Sequence, residues 1–184
     1  MLKERIHLEG LTICHSKIFI STNASIGYLF DGSKLVAKKH LGIRKPLKKV
    51  QALDESRVLI LTTDGVLSIL DIDSLTIITG KQSQLTNVSD FYINASATNG
   101  SSLDVEIFIA IQKKKAAALL RLSPSNSITP LYEYNFPEPP GKIVCHKSSA
   151  LIQFPTHYKL LDLNSKNLTP LLNFSEKDAP IATG

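Results

Sequence analysis

Tryptophan is absent from the 184-residue chain, methionine occurs once and cysteine twice. No apolar run approaches the roughly 20 residues that a membrane-spanning helix needs. Cys14 and Cys145 are too few for a disulfide framework and are expected as free thiols in a reducing compartment. The densest cationic stretch, residues 34–49, holds no aromatic residue, and with no tryptophan for stacking a nucleic-acid partner is not expected. The nine glycines are scattered among turns and form no phosphate-cradling loop. Neither Gly-x-Ser-x-Gly nor His-Glu-x-x-His occurs. The expectation is a chain that is not an enzyme, with no cofactor, no metal and no small-molecule substrate.

What is present is a repeat. With 43% hydrophobic and 20% charged residues the composition is that of a folded globular domain. An apolar strand, a polar turn, a second apolar strand, a turn and a third strand recur four times. The first copy runs through Lys17–Ser21, Ile26–Phe30 and Leu35–Ala37, and the second through Arg57–Thr62, Val66–Asp71 and Leu75–Thr79. The third uses Val105–Gln112, Ala116–Leu122 and Ile128–Tyr134, and the fourth Ala150–Phe154, Tyr158–Asp162 and Leu168–Phe174. The anchors Ile18, Val58, Ile107 and Leu151 are spaced by 40, 49 and 44 residues, within the range of propeller blades.

A shorter strand precedes each copy, at Leu11–His15, Leu47–Leu53, Val88–Asn94 and Lys142–Cys145, which completes four strands per unit. Turns at Asp31-Gly32, Asp64-Gly65 and Asn99-Gly100 use residues that tolerate positive φ. Lys113–Arg121 has helical propensity, but its place in the repeat argues for a hairpin tip, Lys113 to Lys115, followed by a strand.

The sequence therefore predicts an all-β propeller with blades over 11–40, 47–80, 87–135 and 142–175 in one domain. Four blades either close on themselves or belong to a larger ring of the seven-bladed type. The ending at 178–184 reads as the approach to a further blade and favours the larger ring.

Several residues invite a chemical reading. Cys14-His15 and Cys145-His146 fall in first strands, where neighbouring side chains point to opposite faces and cannot chelate together. The expected arrangement is cysteine inward and histidine outward. His7, His40 and His157 are expected in turns or at the surface. Asp71, Asp73 and Asp162 end third strands and are expected to cap the turns that follow. Six Asn-x-Ser/Thr triplets, at 23, 87, 94, 99, 167 and 173, are by-products of Ser/Asn-rich loops if the chain stays in the cytosol. The N-terminus, with Glu4 and no long apolar core, predicts that it does.

The net charge of +5 permits an acidic partner or an anionic membrane. Lys34, Lys38, Lys39, Arg44, Lys45, Lys48 and Lys49 are the candidate contacts for either, against the plainer reading of a solvated connection between blades.

The segment from Lys45-Pro46 through Leu53 and Arg57–Leu75 resembles the core of a citron-homology domain. Ile107–Lys114, Phe136–Pro140, Tyr158–Leu163 and Leu171–Phe174 continue the likeness, which covers about residues 10–175. The branch it most resembles is that of the endosomal and vacuolar tethering subunits of the HOPS and CORVET complexes, together with the TGF-β-receptor-associated protein.

The resemblance implies a cytoplasmic propeller, peripheral on endosomal or vacuolar membranes, that engages Rab-type small GTPases and tethering-complex subunits. A long helical solenoid usually follows in that family, and this sequence carries none. The alternatives are a structural propeller fragment without its own ligand and a propeller-fold enzyme.

Overall fold

A computed structural model of the chain describes residues 5–78, 84–94 and 104–173. The expected turn at Asn99-Gly100, the strand ends at Thr79 and Phe174, and the stretch 178–184 lie outside the described residues. The chain divides into two compact units, Met1–Thr86 and Asn87–Gly184.

In the first unit, β1 (Leu8–Cys14), β2 (Lys17–Thr22), β3 (Ile26–Asp31) and β4 (Lys34–His40) form one antiparallel sheet in that order. The second sheet runs β5 (Leu47–Ala52), β6 (Arg57–Thr62), β7 (Leu67–Asp71) and β8 (Thr76–Ile77). β9 (Gln84–Leu85) also pairs with β7.

In the second unit the third sheet is β10 (Asp90–Asn94), β11 (Val105–Ile111), β12 (Ala116–Leu122) and β13 (Ile128–Asn135). The fourth is β14 (Ile143–His146), β15 (Ser149–Gln153), β16 (His157–Asp162) and β17 (Leu168–Asn173). The four four-stranded antiparallel sheets expected from the repeat are present. β9 is an addition that the repeat did not foretell.

Within each unit two sheets pack face to face. Cys14, Phe19 and Leu29 of the first sheet share a core with Val58, Ile60 and Leu70 of the second. Phe108, Ala110, Ala117 and Tyr134 of the third share one with Ile143, Cys145, Ala150, Ile152 and Leu161 of the fourth. Val58, Leu59, Ile60 and Leu61 are all buried, so β6 hides both faces, as its unbroken apolar run requires.

Fit between the first two sheets is tight at Gly10, where a Cβ would stand 2.4 Å from Val50 Cγ2. Gly32 (φ 57) and Gly65 (φ 83) take the left-handed turn positions that bulkier residues resist. The conflict at Lys113–Arg121 resolves in favour of the strand. Gln112–Lys114 form a single 3₁₀ turn, Lys115 takes φ 52, and Ala116–Leu122 pairs on both sides. Burial of Ala116, Ala117 and Ala118 outweighs the helical preference of alanine.

One expected strand is corrected. Leu75 belongs to a turn with φ 49, and the strand starts at Thr76: Thr76–Ile77 pairs with β7, and Ile78 N donates to Ile69 O at 2.9 Å. Asp71 sets this turn, because its Oδ1 accepts hydrogen bonds from Ser74 N (2.8 Å) and Ser74 Oγ (2.7 Å). The outer partner of β7 is thus made of two pieces, β8 against Leu70-Asp71 and β9 against Leu67-Ser68.

The inner strand of a blade leaves backbone N–H groups without a ladder partner, and side chains of the neighbouring sheet accept them. In the first unit Glu9 Oε2 accepts from Leu47 N (2.8 Å) and Thr12 Oγ1 from Ala52 N (3.1 Å). In the second unit Asp90 Oδ2 accepts from Ile143 N (2.9 Å). Asn94 Nδ2 donates to Lys147 O (2.8 Å) and Tyr134 OH to Leu163 O (3.1 Å) across the same joint.

Candidate binding surface

The seven basic residues do not converge on one site. Lys34, Lys38 and Lys39 lie on β4, the edge strand of the first sheet, where charge also discourages pairing with another strand. The side-chain period of two sends Lys38 and Lys39 to opposite faces. Lys38 Nζ sits 5.3 Å above the centre of the Tyr28 ring, and Lys39 Nζ donates to Ser74 O at 3.2 Å. Lys48 and Lys49 belong to β5, the first strand of the second sheet.

Arg44 and Lys45 do come together, at the rim of a groove in the first unit. Its lining includes Leu41 and Leu47, both buried, with Asn23, Pro46 and Glu9. Most polar groups around the groove are already engaged. Glu9 receives Leu47 N, Ser25 Oγ accepts from Ile43 N at 3.0 Å, and Asn23 Oδ1 accepts from His7 N at 2.8 Å. Two exposed cations beside a small apolar floor suit an extended acidic segment carrying an apolar side chain. The run of basic residues was legible in the sequence. Its dispersal was not, because the β4–β5 connection carries the chain from one sheet to the next.

Cys14 and Cys145 are buried free thiols, and His15 and His146 are exposed; alternation along β14 accounts for His146, whereas His15 lies beyond the end of β1, in the turn. Burial, with a smaller contribution from the Asp54 charge, pushes the Cys14 thiol up to about 11. The two dipeptides are nevertheless not equivalent. The two-residue turns are His15-Ser16 and Lys147-Ser148, closed by Cys14–Lys17 and His146–Ser149, so Cys14 corresponds to His146. Among the described residues no cluster of three His, Cys, Asp or Glu side chains is placed to hold a metal.

Two other expectations change. His157 is not a surface residue: its ring stacks on Phe154 with centroids 5.1 Å apart, and its Nε2 is buried without a hydrogen bond. Asp73 pairs with the Lys17 ammonium, whereas Asp71 and Asp162 cap turns as foreseen. Asp162 Oδ1 accepts from Asn164 N (2.9 Å) and Ser165 N (2.7 Å), and these backbone donors hold its carboxyl below the usual range. Of the Asn-x-Ser/Thr asparagines, Asn23 and Asn94 are committed to internal hydrogen bonds.

Comparison with known proteins places these observations. No family model matches the chain. The chain is 21% identical over 176 residues to the transforming growth factor-beta receptor-associated protein 1 homolog of Danio rerio, covering 89% of this chain and 20% of that protein. Among solved structures it is similar to the AfRom2 CNH domain, with a TM-score of 0.62 and 14% identity over 91% of this chain and 56% of that one. The WD40 β-propeller domain of Doa1 is also similar, with a TM-score of 0.56 and 8% identity over 80% of this chain and 47% of that one. The chain thus spans a fifth of its curated relative and about half of the solved chains. The fold is of the β-propeller type, and the resemblance to citron-homology domains and to the TGF-β-receptor-associated branch is borne out.

Proposed function

We propose that the chain is a protein-interaction module of vesicle-mediated transport, engaging a Rab-class small GTPase or tethering-complex subunits at endosomal or vacuolar membranes. The observation that carries this reading is the likeness, over 89% of the chain, to a protein named for association with a receptor. The four sheets act as one domain and as part of a larger ring, a reading supported by the 56% coverage of the AfRom2 CNH domain.

The groove rimmed by Arg44 and Lys45 is the contact surface, with Lys38, Lys39, Lys48 and Lys49 supplying a long-range field toward an acidic partner or anionic lipid. No residue is assigned a catalytic role. In a pull-down with the immobilised chain, a Rab-class GTPase is recovered in its GTP form and not in its GDP form. Arg44→Glu together with Lys45→Glu abolishes that recovery. Equal recovery of the two nucleotide states, or none, refutes the GTPase reading.

A further inference from the structure

The connection from the outer strand of one sheet to the inner strand of the next is built on the same plan in both units. It starts where Leu41 N donates to Ser25 O (2.7 Å) and Phe136 N to Lys115 O (2.8 Å), each acceptor being a left-handed turn residue, at φ 57 and φ 52. It ends where a carboxylate accepts the first N–H of the inner strand, Glu9 that of Leu47 and Asp90 that of Ile143. The residue before is held by Thr63 N to Pro46 O and by Gln153 N to Lys142 O, both at 2.9 Å. Residues 42–46 therefore correspond to residues 137–142, and Leu41 to Phe136, both buried.

The two connections differ in what they carry. The second is one residue longer and reads Pro137-Glu138-Pro139-Pro140-Gly141-Lys142. Pro140 is buried there, and Glu138 is half-buried. The first reads Gly42-Ile43-Arg44-Lys45-Pro46, and its single proline stands exposed at the position of Lys142. Nothing in it matches the buried Pro140, and a groove of about 220 Å³ opens over Leu41 and Leu47. That is smaller than the roughly 300–1,000 Å³ of pockets that enclose a whole small molecule, and it suits side chains of a segment crossing the surface. Arg44 and Lys45 are exposed at the rim, with no hydrogen-bond or ion-pair partner among the described residues. Glu9, also in the lining, is committed through Oε2 to Leu47 N, and its charge turns acidic groups of a ligand toward Arg44 and Lys45.

We infer that the groove receives an extended acidic segment of a partner protein that carries proline beside an aliphatic residue. Such a segment does for the first unit what the Glu138–Pro140 stretch does within the second. Its apolar pair lies on Leu41 and Leu47, and the carboxylates beside the pair meet Arg44 and Lys45. Proline holds the segment extended before it binds, which lowers the ordering cost. The inference rests on the reading that this groove is the contact surface, and it names what enters it whether or not the partner is a GTPase.

The test is fluorescence anisotropy of a fluorescein-labelled peptide, Leu-Pro-Pro with two glutamates on either side, titrated with the full chain. The wild type binds it, and added salt weakens the complex. Arg44→Glu with Lys45→Glu weakens binding about tenfold or more, as does replacing the peptide glutamates by glutamine. Both side chains are exposed, so the variant should melt with the wild type; if it does not, Arg44→Gln with Lys45→Gln is the milder comparison. Absence of peptide binding, binding unchanged in the variants, or equal binding when Leu-Pro-Pro becomes Gly-Ser-Gly overturns the inference. So does recruitment to phosphatidylserine vesicles through Arg44 and Lys45 without peptide binding, which would assign the groove to lipid. Peptide binding without recovery of a GTPase in the pull-down sinks only the GTPase reading, and the reverse result sinks only this one.

Discussion

Asp90 offers the sharpest test of how sheets are joined in the second unit. It is the first residue of β10, is 7% exposed, and its Oδ2 accepts the N–H of Ile143 at 2.9 Å. Ile143 is itself buried at the start of β14, so its N–H lies away from bulk water. Asp90→Ala removes the acceptor and leaves a desolvated amide, at a cost of about 2–3 kcal/mol for a bond to a charged group. For a chain of this length that lowers Tm by about 4–12 °C. Asp90→Asn keeps an oxygen within reach of Ile143 N and loses only about 1 kcal/mol, the difference between a charged and a neutral acceptor. Urea denaturation followed by circular dichroism measures both, with the m-value unchanged because the exposed area does not alter. An Asp90→Ala midpoint indistinguishable from wild type refutes the role of this bond. Equal losses for the two variants would show that the charge, and not the acceptor, is what the joint requires.

Three further outcomes follow from the packing. Gly10→Ala forces a methyl to within 2.4 Å of Val50 Cγ2 and 2.7 Å of Ser21 Oγ, and thermal unfolding should show a loss of about 1–3 kcal/mol that Val50→Ala partly reverses. Burial alone would raise the Asp54 carboxyl, but Arg57 and the Ser56 and Arg57 amides hold it below the usual carboxylate range. On acidification the unfolded chain therefore protonates first, so stability present above the ordinary carboxylate pKa is lost as pH falls toward the folded value. A pH series of melts should show a shallower acid limb for Asp54→Asn. The Cys14 thiol, buried and pushed up to about 11, should stay unreactive toward a disulfide reagent at mildly alkaline pH and react at once in denaturant. Rapid native labelling of Cys14 would show that the first core opens.

The four sheets were legible because each repeats an apolar period with turn residues at its ends, and local chemistry agrees with the fold at Gly32 and Gly65. Where the sequence misled, a tertiary contact won. Ala116–Ala118 look helical and form a strand because a packed sheet needs small residues there. Leu75 reads as strand but is drawn into a turn by Asp71. Gln84-Leu85 is too short to carry a periodic signal, and His157 gives no hint that it will stack on Phe154. The joining residues Glu9, Thr12, Asp90 and Asn94 were illegible because their partners lie 38 to 53 positions away. At the candidate groove the opposite holds: the charges were plain in the sequence, while the floor of Leu41 and Leu47 emerged only with the fold.

The joints between inner strands have an evolutionary corollary. Within each unit the two sheets share no backbone ladder among the described residues; their inner strands are linked by a few side chains, Glu9 and Thr12 in the first and Asp90 and Asn94 in the second, that reach across to the neighbouring sheet. A gene encoding such a chain can gain or lose a whole repeat by unequal crossover and need only restore an acceptor such as Glu9 or Asp90 at the new boundary. Repeat number is then free to drift among descendants while the architecture of the single repeat stays fixed.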